Sequence, residues 1–329
     1  MNYMRRMLLA AVAALATGGL GWSGTAAAQS EPIRVAFGDI ASVESLNLLI
    51  AMERTKERGV PMELSFFNEE DVAVQAVLGG EADIGVGAPY AFIENAEAPI
   101  RMFYRMSTLL FFPVVNGEMY KTWEDLDGQE VAVQSRGSGT EALMRLMEKE
   151  HGITFSNISF VPGSEVRAGA MLQGTINATI VDAANFRLLQ EKGGGKFVRL
   201  PVEGVNATDE ALYARADFLE ERAADVQVFV EELLRTWKDV AANPAIVGEL
   251  REKYGLLADL PEDALAEAVP YFEEAVANEV YPLDGGEPQD AHDDIAFLAA
   301  AGQVEGDPAA VDPADYWDFT ALEAAKAAN

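Results

Sequence analysis

The chain has no cysteine and two histidines among its 329 residues. The first absence excludes a disulfide framework, a zinc–thiolate site, a cysteine nucleophile and a lipid anchor on an N-terminal cysteine. Basic residues are scarce: 24 Lys and Arg face 54 Asp and Glu, a formal net charge of −30. Such a surface is a poor partner for nucleic acid or anionic lipid and exerts no long-range attraction on an anionic solute. A solvated acidic surface suited to a saline habitat is the simplest reading of the excess. Long apolar runs are missing too. The one at Met7–Leu20 falls short of the ~20 residues a membrane span needs, and Gly18, Gly19 and Gly21 interrupt it and its flank.

That run has a different meaning. Arg5 and Arg6 precede it, and Ala26-Ala27-Ala28 follow it before Gln29. Positive charge, a short apolar stretch and a small-residue site, in that order, form a cleavable secretory signal. The expectation is a signal peptide over residues 1–28, cut near Ala28/Gln29. The Arg5-Arg6 pair raises a twin-arginine route, but no cofactor motif follows that would need folded export. Cleavage takes 28 residues from 329 and leaves 301, enough for two lobes with cores of their own. An exported chain without an anchor needs a second membrane to retain it, so the expected home is a Gram-negative periplasm.

Within the remaining chain, short apolar runs alternate with helical periodicity. Ile33–Gly38, Met62–Phe67, Ile84–Ala88, Ile100–Arg105, Val131–Gln134, Ile158–Val161, Ala178–Asp182 and Phe197–Leu200 read as strands. Ser42–Arg58 with a Ser42 N-cap, Val72–Leu78, Thr140–Glu150 and Val166–Leu172 read as helices between them. Alternation at this spacing predicts an α/β fold of parallel-rich sheets flanked by helices. After Ala214 the pattern turns wholly helical. Val226, Phe229, Val230, Leu233, Leu234, Trp237 and Val240 recur at i, i+3/i+4, i+7, one apolar helix face. There is also an internal echo. Leu78-x-Gly80-x-x-Asp83 matches Leu172-x-Gly174-x-x-Asn177, each time where a helix ends and an apolar strand begins. Two similar α/β lobes explain it; coincidence over three positions does too.

Four passages carry a resemblance: QAVLGGEADIGVGAP (Gln75–Pro89), EDLDGQEVAVQSRGSGTEALM (Glu124–Met144), AMLQGTINATIVDAANF (Ala170–Phe186) and ALYARADFLEERAADVQVFVEEL (Ala211–Leu233). In this order they resemble the ABC-transporter solute-binding family that handles nitrate, taurine, alkanesulfonates and pyrimidine precursors of thiamine. The resemblance implies a two-lobed periplasmic-binding-protein fold, type II, with two crossovers near Phe111–Asn116 and Val205–Ala214. Lobe 1 is then residues 29–112 plus 214–329 and lobe 2 residues 113–213. It also implies a monomeric receptor that closes by a hinge on a small molecule and delivers it to the permease subunits of an ABC importer.

Ligands in such sheets sit beyond the carboxyl ends of strands, at helix N-termini and switch points. With the resemblance, that rule nominates Asp39 and Ser42 after the first strand, Tyr90 after the third, and Phe111 and Phe112 at the first crossover. In lobe 2 it nominates Arg136, Ser138, Gly139 and Thr140, then Asp182 and Asn185. Each has a plainer alternative. Asp39 serves equally as a turn residue, Phe111 and Phe112 as core, Ser138 or Thr140 as a helix cap, and Asp182 as an N-cap. The Gly-rich turn 135–141 lacks the Gly-Lys-Ser/Thr ending of a nucleotide P-loop, so it does not imply ATP.

This set sways the expected ligand. One arginine, two aspartates and three aromatics suit a flat, polar nitrogen heterocycle of pyrimidine type. An aliphatic sulfonate, taurine or carboxylate held by Arg136 and the backbone is the alternative. The resemblance also admits pyrimidine-synthase-like enzymes on the same fold, whose sites depend on cysteine and histidine. A receptor for a tripartite secondary transporter is a further two-lobed option, against which the ordered passages argue. His151 stands at a helix end and His292 among Asp290, Asp293 and Asp294, an acidic helix start rather than a metal site. The expectation is therefore a binding protein, not an enzyme, with no cofactor and no metal.

Overall fold

The computed structural model describes residues 31–328, apart from Glu97 and Gly306. The expected signal peptide and its cleavage point lie outside the described residues.

Among the described residues, ten strands form two five-stranded sheets. The first sheet uses β1 (Ile33–Phe37), β2 (Met62–Phe66), β3 (Ile84–Gly87) and β4 (Ile100–Arg105). The second uses β5 (Phe112–Asn116), β6 (Glu130–Val133), β7 (Asn157–Phe160), β8 (Ala178–Val181) and β9 (Phe197–Arg199), and β10 (Ala211–Arg215) returns to the first. Their orders are β2-β1-β3-β10-β4 and β7-β6-β8-β5-β9. Three neighbouring strands of each sheet pair in parallel, β1 with β2 and β3, and β6 with β7 and β8. The sheets are mixed rather than parallel throughout. β10 is antiparallel to β3 and β4, and β5 is antiparallel to β8 and β9. Alternation in sequence fixes the parallel βαβ part, but β5 and β10 are reached by the connections between sheets, which carry no helix to enforce parallel pairing.

Six helices belong to these units: α1 (Leu46–Glu57), α2 (Glu70–Gly79), α3 (Tyr90–Ala96), α4 (Gly139–His151), α5 (Ser164–Gln173) and α6 (Ala183–Gly193). The expected helix at Ser42 starts later. Ser42 is extended, its side chain caps nothing, and Val43–Ser45 make a 3-10 turn ahead of α1. The echo in the sequence has a structural counterpart. α2 and α5 end on Gly80 and Gly174 at φ 76° and 74°, left-handed positions that glycine takes at least cost. Each then leads to the equivalent third strand, β3 or β8, beside β1 or β6.

Seven more helices follow β10: α7 (Ala216–Glu221), α8 (Ala223–Ala242), α9 (Ile246–Tyr254), α10 (Glu262–Ala266), α11 (Ala268–Ala277), α12 (Pro288–Ala301) and α13 (Thr320–Ala328). All seven apolar residues of the expected face on α8 are buried. Six of them share one core with β1, β3 and α1, and Val240 joins a neighbouring core with Leu46, Ile50 and Phe272; each contributes ~1.5–3 kcal/mol of burial. Trp237 anchors this face, and its indole N–H donates to Met106 O at 2.8 Å. On the opposite face of the first sheet, Gly85 of β3 lies under the Tyr213 ring, where a Cβ would fall inside the van der Waals radius of the ring atoms. Gly85→Ala is expected to lower stability by ~1–3 kcal/mol through overpacking. Urea denaturation checks this, and an unchanged midpoint would sink it.

The chain passes between the sheets twice, along residues 106–111 and 200–210, and the two passages pair with each other. Met106 N–H donates to Glu210 O at 2.8 Å, Asp209 N–H to Ser107 O at 3.0 Å and Leu109 N–H to Ala207 O at 2.8 Å. This two-stranded connector places Asp209 and Glu210 beside the gap between the sheets.

Candidate ligand-binding cleft

A cavity of about 30 Å3 lies between the carboxyl ends of the two sheets. The first sheet supplies Gly38 and Asp39 after β1, and the turn before α1 supplies Glu44. Glu70 comes from the first turn of α2, seated so close to β1 that a Cβ on Gly38 would meet its Cα at 2.8 Å. The connector contributes Phe111, Asp209 and Glu210. The second sheet contributes Gln134 after β6, the α4 start at Ser138, Gly139 and Thr140, and Ser164 and Arg167 of α5. Phe111 also lines an adjoining smaller cavity with Glu44, Asp182, Asp209 and Tyr271.

The two walls differ in chemistry. On the second-sheet side the groups are hydroxyls, an amide and a guanidinium. Ser138 Oγ caps α4 by accepting from Glu141 N–H at 3.3 Å, and Thr140 Oγ1 accepts from Gln134 N–H at 3.0 Å. Arg167 is fully buried, and its guanidinium donates to Ile180 O at 2.9 Å, Val161 O at 2.8 Å and Gln134 Oε1 at 2.6 Å. Gln134 Oε1 also accepts from Gly163 N–H at 3.1 Å, while its Nε2 is buried without a partner. An orphaned buried donor costs ~1–3 kcal/mol, which a ligand acceptor recovers.

The first-sheet side and connector are carboxylates. Among the described residues, none of Asp39, Glu44, Glu70, Asp182, Asp209 and Glu210 forms an ion pair. Burial pushes the Glu70 carboxyl up to about 8, and Asp209 nearby adds to it. Burial likewise takes Asp209 to about 7 against the Ser107 hydroxyl, which favours its charged form. Glu44 and Glu210 lie well above the usual carboxylate range, through burial first and neighbouring carboxylates second. Asp39 is raised by burial, with the Ile40 N–H, the nearby Gln134 amide and Arg167 opposing. Uncompensated negative charge in a low dielectric holds protons; that is the shared cause.

Of the nominated residues, Asp39, Phe111, Ser138, Gly139 and Thr140 meet in this cavity, with Asp182 in the adjoining one. Asp182 also caps α6, accepting from Asn185 N–H at 2.7 Å and Asn185 Nδ2 at 2.8 Å, which occupies Asn185. Ser42, Tyr90, Phe112, Arg136 and Asn185 stand outside the main cavity. Tyr90 is 1% exposed; its hydroxyl donates to Asp294 and accepts from Trp317 Nε1 at 2.8 Å. Helix α12 and the C-terminal segment thus draw Tyr90 inward. Phe112 is core, edge-on to Phe186 at 5.6 Å with Arg199 over its ring at 3.8 Å. Arg136 is exposed and rests on Phe160, 5.0 Å from its centroid. The cavity lining also holds Glu44, Glu70, Gln134, Arg167, Asp209 and Glu210, which the sequence did not nominate. Position after a strand or in a first helix turn was a signal for Gln134 and Glu70, lost among many acidic residues.

Tyr90→Phe is expected to cost ~1–2 kcal/mol of stability by stranding Asp294 and Trp317 Nε1, without direct loss of ligand contact. Paired denaturation and binding curves check it, and lost affinity with unchanged stability would return Tyr90 to the cleft.

The NMT1/THI5-like family model matches residues 47–246. The chain belongs to the NMT1/THI5-like family. No curated protein matches it. Among solved structures, a protein of Bordetella bronchiseptica RB50 is 23% identical, with 91% of this chain and 98% of that one covered and a TM-score of 0.71. The ligand-binding component of an ABC-type import system from Staphylococcus aureus, solved with zinc bound, is 13% identical over 90% and 99% of the two chains, TM-score 0.65. The alkanesulfonate-binding protein SsuA of Xanthomonas axonopodis pv. citri, bound to MOPS, is 17% identical over 85% and 96%, TM-score 0.63. At these identities the likeness is one of fold. It places this NMT1/THI5-like chain in the periplasmic-binding-protein fold, as the two mixed sheets and paired connections require.

Proposed function

We propose that this chain is the extracytoplasmic solute receptor of an ABC importer, and that its ligand is a small, polar nitrogen compound of pyrimidine type held between two lobes, 31–112 with 214–329 and 113–213. The observation that carries this reading is the cavity lined from both sheets at the strand ends and helix N-termini. Family membership and solved relatives named as import-system binding components support the receptor role. Neither histidine lines the cavity: His151 stacks on Trp123 at 5.5 Å, and His292 approaches Pro308 O. An anion finds one arginine among several carboxylates, which favours a nitrogen compound over a sulfonate. Of three expected aromatic walls Phe111 remains, so stacking contributes from one side.

A thermal-shift panel of heterocycles, sulfonates and carboxylates tests the ligand class. A ligand at ~100 times its dissociation constant adds ~2.7 kcal/mol of apparent stability. Response to sulfonates or carboxylates alone would overturn the nitrogen reading, and turnover of a hit would overturn the receptor reading.

A cavity of about 30 Å3 holds about two waters, so a pyrimidine-sized solute enters only as the lobes part about the connector. X-ray scattering is expected to show the ligand-free population more expanded than the saturated one; identical profiles would argue against a hinge. Expressed at full length, the chain is expected in the periplasm with an N-terminus within two residues of Gln29. An uncleaved membrane-bound product would contradict this.

A further inference from the structure

We infer that the cleft binds its solute as an organic cation, the positive charge held by the carboxylate wall and an acceptor atom of the same molecule placed at Gln134 Nε2. The inference rests on the receptor reading above and narrows its ligand class.

Two independent features carry it. The first is charge without a partner. Asp39, Glu44, Glu70, Asp209 and Glu210 line one cavity, and Asp182 closes the adjoining one. Among the described residues, Glu210 receives no ion pair or side-chain hydrogen bond on its carboxylate. Arg167, the basic residue of that lining, already donates to two backbone carbonyls and Gln134 Oε1. An anion entering here finds that arginine already engaged and keeps the carboxyls protonated, whereas a cation ionises them and supplies what the wall lacks. The second feature is Gln134. It is 8% exposed, both bonds to its Oε1 are made, and Nε2 has no partner. The amide faces the Asp39 carboxyl, whose charged form it favours, but no acceptor lies within hydrogen-bond distance of Nε2, and a ligand acceptor fills that need. A metal ion answers neither feature, since among the described residues no three acidic or histidine side chains cluster closely enough to ligate one.

A consequence is proton exchange. The carboxyls on the wall hold protons because they are buried together. Facing them are Arg167 and Glu165 from α5, Asp71 beside Glu70 on α2, Asp182 at the α6 start, and the hydroxyls of Tyr271 and Tyr281 from the C-terminal helical region. A cation settling among them drives carboxyl protons out to solvent, one O–H breaking for each carboxylate that ionises. Affinity for a permanent cation then rises with pH, because the protein and not the ligand titrates.

The test uses the intact mature chain and three flat probes of nearly equal shape: 1-methylnicotinamide, a permanent cation with a carbonyl acceptor; nicotinamide, neutral; and nicotinate, an anion. Agmatine adds a cation without an aromatic ring. Calorimetry in two buffers of different ionisation enthalpy reads affinity and proton release together. The expected result is 1-methylnicotinamide bound at least ~10-fold tighter than nicotinamide, no nicotinate binding, proton release at pH 7, and affinity rising ~5-fold or more from pH 6 to 8.5. Glu210→Gln and, separately, Glu70→Gln are expected to weaken the cation ~10-fold and cut the released protons. Nicotinamide or nicotinate binding as tightly as the cation would overturn this inference while leaving the nitrogen-heterocycle reading in place. Agmatine binding with no response to the ring probes would uphold the cation and overturn the heterocycle. No binding by any of the four would overturn both.

Discussion

Replacing Arg167 by methionine is expected to cost ~3 kcal/mol or more of folding stability, the largest effect of any single change in the cleft. The side chain is 0% exposed. It supplies donors to Ile180 O at the end of β8, Val161 O just after β7 and Gln134 Oε1 just after β6. Those three acceptors belong to neighbouring strand ends of the second sheet, so the guanidinium ties the sheet together where the ligand meets it. Methionine fills much of the volume but donates nothing, and each stranded buried carbonyl carries its own desolvation cost. Arg136→Ala, by contrast, is expected to change stability by no more than ~0.5 kcal/mol, because Arg136 is exposed. Urea titrations of the two variants decide it. Equal midpoints for both would mean that Arg167 is not the tie described.

The ligand-free protein is expected to lose stability as the pH rises from 5 to 8.5. In the unfolded chain Glu and Asp release their protons near pH 4. In the folded chain burial keeps Asp294 protonated up to about 6, Asp209 to about 7 and Glu70 to about 8. Between those limits the folded state carries protons that the unfolded state has lost. Stability is then fullest near the unfolded values and drains away as the pH climbs through the folded ones. Each tenfold change in proton affinity is worth ~1.4 kcal/mol. Together the three groups make the loss at least ~2 kcal/mol over the interval. Glu70→Gln is neutral at every pH and is expected to flatten the slope. Thermal unfolding at half-unit steps of pH measures both curves, and a wild-type curve that rises toward pH 8.5 would refute the picture of crowded, unpaired carboxyls.

The sequence by itself determined the scaffold of this protein. Alternation of apolar runs with 3.6-residue periodicity gave eight of the nine strands through β9 and four of the six helices among them, because burial of one face is a local, periodic demand; β5, α3 and α6 were not read from it. The face from Val226 to Val240 was legible for the same reason, and all seven of its residues are buried. Gly80 and Gly174 signalled equivalent turns, since a left-handed helix end selects glycine from local geometry alone. The ordered passages pointed to the family that the matched model establishes. Five nominated residues also reach the main cavity, as positions after strands and at helix N-termini must in such sheets.

Only the tertiary structure decided the character of the cleft. Glu210 and Asp39 are far apart in sequence and meet because residues 106–111 pair with residues 200–210. Nothing local in either segment encodes that pairing. Tyr90 had the right address for a ligand contact, yet Asp294 and Trp317, more than 200 positions away, turn it into core. Arg136 and Arg167 were indistinguishable as letters. One lies on the rim against Phe160, and the other is drawn inside by three acceptors at strand ends. In a chain with 54 acidic residues, proximity in sequence says little about which carboxylates share a site. Periodicity reports which face of an element is buried, whereas the sign of the charge in a cleft depends on which distant elements close around it.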